Sequence, residues 1–143
     1  MMKKLTQYIA VLVVFAIFLA VPGYAVENTN QRASQFFMSY SVYLWAPTNE
    51  AWFEVTAVGI MDEIGVSEIE IQRSTDQSNW TTVKTFEKED YSQMVEEDTS
   101  AMVNCVPFTF TNGYYYRGVM TLYAKKGNGT ATSTVVTPTL NKR

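Results

Sequence analysis

The sequence has no histidine and a single cysteine, Cys105, among its 143 residues. Without histidine there is no Ser-His-Asp or Cys-His nucleophile, no imidazole acid–base catalysis and no histidine-ligated zinc. One cysteine cannot close an intramolecular disulfide, so packing must supply the stability. Cys105 reads as a small buried apolar residue, with an intermolecular disulfide as its other use. Glycine-rich phosphate loops and dinucleotide fingerprints are missing. No run of Lys or Arg exceeds two residues, which leaves no concentrated positive charge for nucleic acid or an anionic membrane.

The remaining catalytic chemistry is that of carboxylates. Glu87, Glu89, Asp90, Glu96, Glu97 and Asp98 crowd one stretch, but a glycosidase pair needs two carboxyls at a set separation across a deep cleft. A domain of this size with an acidic loop rarely builds one, so the expectation is no enzyme and no cofactor. Calcium, which seeks several oxygen ligands, is an alternative for Glu96, Glu97 and Asp98, although their spacing matches no calcium loop. A solvated charged loop is the simpler reading.

The chain opens Met1-Met2-Lys3-Lys4, runs apolar from Tyr8 to Val21, and then offers Pro22-Gly23-Tyr24-Ala25. That is a positive segment, an apolar core and a small-x-small cleavage site, predicting a signal peptide over 1–25. The apolar run of 14 residues is short of the roughly 20 that span a bilayer, so no stable membrane anchor is expected after cleavage. Without Lys3 and Lys4 the 11 basic residues fall to 9 against 14 acidic ones, a net charge of −5. The product is expected to be secreted and extracellular, with a polar flexible leader over 26–35 and one domain over 36–141.

Within that domain, residues 36–46 alternate with period 2. Phe36, Met38, Tyr40, Val42 and Leu44 share one face; Phe37, Ser39, Ser41, Tyr43 and Trp45 share the other. After the turn Pro47-Thr48-Asn49-Glu50, residues 51–58 form a second strand with Ala51, Phe53, Val55 and Ala57 inward and Trp52 outward. Residues 59–65 read as a connection. Residues 66–75 alternate again, with Ile69 and Ile71 inward, and 80–87 follow after the turn Asp76-Gln77-Ser78-Asn79. Residues 88–100 are the acidic loop. Residues 101–110 are strand-like with either face possible, and Pro107 argues for a sheet edge or a break. A long aromatic strand, Tyr114 to Ala124, and a β-branched one over 130–140 complete seven. Short strands at this spacing predict an all-β antiparallel sandwich.

Two segments resemble the fibronectin type III, immunoglobulin-like class. Ile69 to Val83 (IEIQRSTDQSNWTTV) is similar to that family's third and fourth strands, and Asn112 to Thr132 (NGYYYRGVM…) to its last hairpin. The chain also resembles small secreted proteins of Gram-positive bacteria that carry similar signatures. The resemblance implies an immunoglobulin-like sandwich and no particular activity. It places Tyr114 at the tyrosine-corner position, whose hydroxyl bonds back to nearby backbone. Parity then puts Tyr116, Met120, Leu122 and Ala124 in the core and Tyr115, Arg117, Val119, Thr121, Tyr123 and Lys125 outside.

Two surfaces are candidates for binding. On one sheet, strand 66–75 beside strand 114–124 would bring Glu68, Glu70 and Gln72 next to Tyr115, Arg117 and Tyr123. This suits an extracellular protein partner, or a plain Arg117–Glu70 cross-strand pair. On the other sheet, Tyr43, Trp45 and Trp52 face outward and could stack on a cell-surface glycan, with Trp80 as a further candidate. The expectation is a non-catalytic interaction or adhesion module, with carbohydrate binding as the alternative.

Overall fold

A computed structural model describes residues 35–143. The expected signal peptide and all of the leader except Gln35 lie outside the described residues. The elements are β1 (Phe37–Trp45), β2 (Glu50–Ser74), β3 (Thr81–Glu87), a 3-10 turn (Ser92–Met94), β4 (Val95–Pro107), β5 (Tyr115–Lys126), β6 (Gly129–Val136) and β7 (Leu140–Asn141). All pairings are antiparallel.

One strand organises the rest. β2 is 25 residues long, and at about 3.3 Å per residue it would extend ~80 Å if straight. A domain of this size is only about 35 Å across, so the strand must bend. It does so at register shifts, between Thr56 and Met61 opposite β4 and between Val66 and Glu68 opposite β5. Such bulges leave a residue unpaired and bend the strand. The buried side of β2 records the slips: Ala51, Phe53, Val55, Ala57 and Met61 face in, then Ile64 and Val66, then Ile69 and Ile71. Residues 59–65 are therefore strand, not connection. Their broken alternation comes from the bulges.

Along one edge of β2 lies β1, then β5; along the other lies β4, then β3. β6 and β7 add to β5. The bend folds this sheet over as a β-sandwich about a single core, to which β1 contributes Val42 and Leu44, β3 Phe86, β4 Met102 and Val106, and β5 Tyr116, Met120, Leu122 and Ala124. Gly118 marks the close approach of the layers, because a Cβ there would sit 3.4 Å from Leu44 Cδ2 and 3.1 Å from Thr137 Cγ2.

The expected inward set on β5 is the observed one. On β4 the open parity resolves with Met102 and Val106 inward, and Pro107 ends an edge strand, where its missing N–H is harmless. Several expectations change. Met38 is 67% and Tyr40 53% exposed, since β1 slips register between Phe37 and Ser39 and its first half lies at the margin of the core. The acidic loop shrinks to residues 88–94: Val95 to Ser100 belong to β4, and Met94 is fully buried. Trp80 precedes β3 rather than lying in it. The last expected strand divides at Thr137-Pro138, where the Thr137 hydroxyl accepts from the Gly118 N–H at 2.9 Å and donates to the Pro138 carbonyl at 3.0 Å.

The tyrosine anchor also moves by two residues. Tyr116, not Tyr114, is the fully buried ring, and its hydroxyl accepts from the Thr111 backbone N–H at 3.0 Å. Tyr114 is half-buried and lies under the Arg73 guanidinium, 4.4 Å from its ring centre.

Candidate functional site

Alternation along β1 sends Val42 and Leu44 into the core and therefore Tyr43 and Trp45 outward. Antiparallel register sets Tyr43 directly opposite Trp52, and Trp45 opposite Glu50. The turn between the strands is tight: Asn49 holds a left-handed φ of 57°, a conformation Asn tolerates well, and its N–H bonds to the Ala46 carbonyl at 3.2 Å. Four outward side chains thus meet at one end of the sheet.

Their rings are ordered. Tyr43 and Trp52 are parallel to within 6°, with centroids 6.2 Å apart, and Trp45 stands edge-on to Tyr43 at 87° and 6.4 Å. Trp45 is 49% and Tyr43 40% exposed. With Thr48 and Glu50 these rings line an open groove of about 320 Å³. The Glu50 carboxylate accepts from Thr48 Oγ1 at 2.5 Å and from Trp52 Nε1 at 2.9 Å. Cys105, the β4 residue opposite Trp52, lies on the same face. The Thr48 hydrogen bond, helped by that from Trp52 and opposed by burial, holds the Glu50 carboxyl below the usual range. A carboxylate offers about four lone-pair positions. Two donors from the chain, Thr48 and Trp52, both bond Oε2 and leave acceptor capacity for a ligand.

Cys105 is half-buried, and burial, with the charge of Glu50, pushes its thiol pKa up. Its partial burial departs from the buried apolar residue expected. Thr48 and Glu50 were not legible as site residues by composition. The available signal was spacing, because Thr48, Glu50 and Trp52 recur every second residue and so share a face.

The second surface is differently built. Tyr115, Arg117, Tyr123 and Glu70 do face outward on the paired β2 and β5, but each is engaged by its own neighbours. Register sets Gln72, not Glu70, opposite Arg117. Arg117 Nε donates to Gln72 Oε1 at 2.8 Å, and its guanidinium lies 4.3 Å from the Trp80 ring. The expected Arg117–Glu70 pair is replaced by this arrangement; Glu70 instead accepts from Gln72 Nε2 at 3.3 Å and Thr82 Oγ1 at 3.4 Å. Lys88 sits 4.7 Å over Tyr123, and Arg143 5.4 Å over Tyr115. Burial, with a hydrogen bond to Glu63 and the charges of Glu63 and Glu89, pushes Tyr123 up to about 12. Trp80 belongs to this network through Arg117 and does not line the groove.

Glu96, Glu97 and Asp98 lie exposed along β4, and among the described residues no three Cys, Asp or Glu side chains gather as a metal site. Comparison with protein-family models, with curated proteins and with solved structures finds no match to this chain.

Proposed function

We propose that this chain is an exported, non-catalytic carbohydrate-binding module, an immunoglobulin-like β-sandwich that takes a cell-surface or extracellular glycan at the groove of Tyr43, Trp45 and Trp52. The observation that carries this reading is the conjunction of exposed, mutually ordered aromatic rings with a fixed carboxylate that has acceptor capacity to spare. Sugars present apolar C–H faces and hydroxyl donors together, and the groove offers ring faces and Glu50 together. The rings of the other candidate surface already carry the chain's own cations, which is why the groove is preferred over Tyr115, Arg117 and Tyr123.

Tryptophan fluorescence during titration with β-1,4-linked hexasaccharides tests the proposal, since Trp45 and Trp52 both line the groove. Binding should shift the emission, and Trp45→Ala should weaken it at least fivefold, about 1 kcal/mol, the scale of an aromatic anchor at an interface. An unchanged spectrum with every glycan at high concentration would refute it.

A protein partner is the second reading, favoured by Val58, Ile60 and Val103, which are exposed at 54%, 62% and 60% on the same outward face. Apolar residues there enlarge the patch beyond what a sugar needs. Val58→Asp with Ile60→Asp should abolish capture of such a partner while sparing glycan binding.

A further inference from the structure

We infer that the saccharide taken at this groove is cationic, a glycan bearing free protonated amino groups, with an ammonium on the Glu50 carboxylate and the sugar's C–H face on the aromatic rings. This rests on the carbohydrate reading above and names the class of sugar.

Three observations converge on it. The groove lining contains one charged side chain, Glu50, and no Lys or Arg, so its formal charge is negative. Its walls are ring faces, whose quadrupoles attract cations as well as apolar surface. The chain itself shows how readily its rings take up positive charge: five Lys or Arg groups lie 4.3 to 5.4 Å from an aromatic centroid. Among the described residues none of those five covers Tyr43, Trp45 or Trp52. The ring cluster with a carboxylate at its base thus carries no cation from the described residues.

The local hydrogen bonds strengthen the match. Thr48 and Trp52 both donate to Glu50 Oε2, which fixes the carboxylate and favours its charged form. An ammonium brings donors and a full charge to the remaining acceptor capacity, forming a charge-assisted bond that a neutral hydroxyl cannot equal. The excess of acidic over basic residues, a net charge of −3 for the whole sequence, also favours approach of a cation.

The test compares three β-1,4-linked hexasaccharides at mildly acidic pH by calorimetry: the glucosamine hexamer, its fully N-acetylated form and cellohexaose. The glucosamine hexamer should bind roughly tenfold tighter than the other two at low salt, and the margin should narrow as salt screens the charge. Glu50→Gln retains an acceptor for Thr48 and Trp52 but loses the charge, and should bring the three ligands to within about twofold. Trp45→Ala retains the charge and should weaken all three together. Equal affinity for aminated and acetylated hexamers would overturn this inference and leave the carbohydrate reading standing. An amine preference that survives Glu50→Gln, with a thermal melt showing the variant folded, would overturn it too. Failure of all three sugars to bind would remove both readings.

Discussion

Gly65→Ala tests the feature on which the fold depends, the continuity of β2. At this residue β2 is paired on both sides, with Val95 of β4 and Tyr123 of β5. Its φ of +154° is one that residues with a side chain rarely adopt, and an added Cβ would run into the Met94 carbonyl oxygen and come within 2.6 Å of Met102 Sδ. The Met102 side chain can turn away, but the Met94 carbonyl is backbone and must move with its 3-10 turn. Overpacking of this kind costs about 1–3 kcal/mol, and a strained backbone conformation about 1–3 more. A loss of about 2–6 kcal/mol is expected, against the 5–15 kcal/mol typical of a whole domain. Thermal unfolding followed by circular dichroism should show a midpoint about 8–24 °C lower. Gly59→Ala, six residues upstream, is the control: nothing lies within 4 Å of its added Cβ, so it should change stability by no more than roughly 0.5–1 kcal/mol, if anything upward. If Gly65→Ala melts within about 4 °C of the parent, the segment is not held between β4 and β5 and the reasoning is wrong.

The tyrosine anchor is tested by a pair of substitutions: Tyr116→Phe strands the Thr111 N–H and should cost about 1 kcal/mol, while Tyr114→Phe should change the urea midpoint little. Arg117→Ala removes the hydrogen bond to Gln72 and the contact with Trp80, and should lower stability by about 1–2 kcal/mol without unfolding the domain. Arg117→Lys should recover only part of this, because lysine has no Nε–H and no planar fork. Tyr123 has its folded pKa raised from the ordinary 10.0 to about 12. A raised acid stabilises the fold below the unfolded pKa and loses that contribution as pH climbs, so stability should fall between pH 10.0 and about 12. Tyr123→Phe should show a shallower fall over that window in chemical denaturation.

How much of this was legible follows from where the alternation is intact. On β5 the inward residues recur without a slip from Tyr116 to Ala124, so the core face could be read from the chain alone. On β2 the same period is interrupted by bulges, and an interrupted strand has the same surface pattern as two strands and a loop. The resulting count of seven was right through compensation: two expected strands, 51–58 and 66–75, are parts of β2, while the expected last strand divides into β6 and β7. The resemblance placed Tyr114 at the anchoring position, while parity put Tyr116 in the core. Which hydroxyl anchors the chain depends on where the Thr111 N–H falls in three dimensions, and no pattern within the strand encodes that.

The two candidate surfaces separate on the same ground. An outward aromatic triad needs only parity and the nearest hairpin, so Tyr43, Trp45 and Trp52 could be grouped before their geometry was known. The group of Tyr115, Arg117, Tyr123 and Glu70 needed the register between strands over forty residues apart in sequence, and a change of one residue changes every partner. With register supplied, Gln72 and Trp80 take up Arg117, and the surface that looked available becomes an internally satisfied face. In the hairpin the opposite happens. Register adds Glu50 to the rings, a residue first read as part of a turn, and turns an apolar patch into a groove with charge and direction. Because both surfaces belong to the continuous β2, the bulges that hid its length from the sequence also let one strand serve the groove at its start and the Arg117 network at its end.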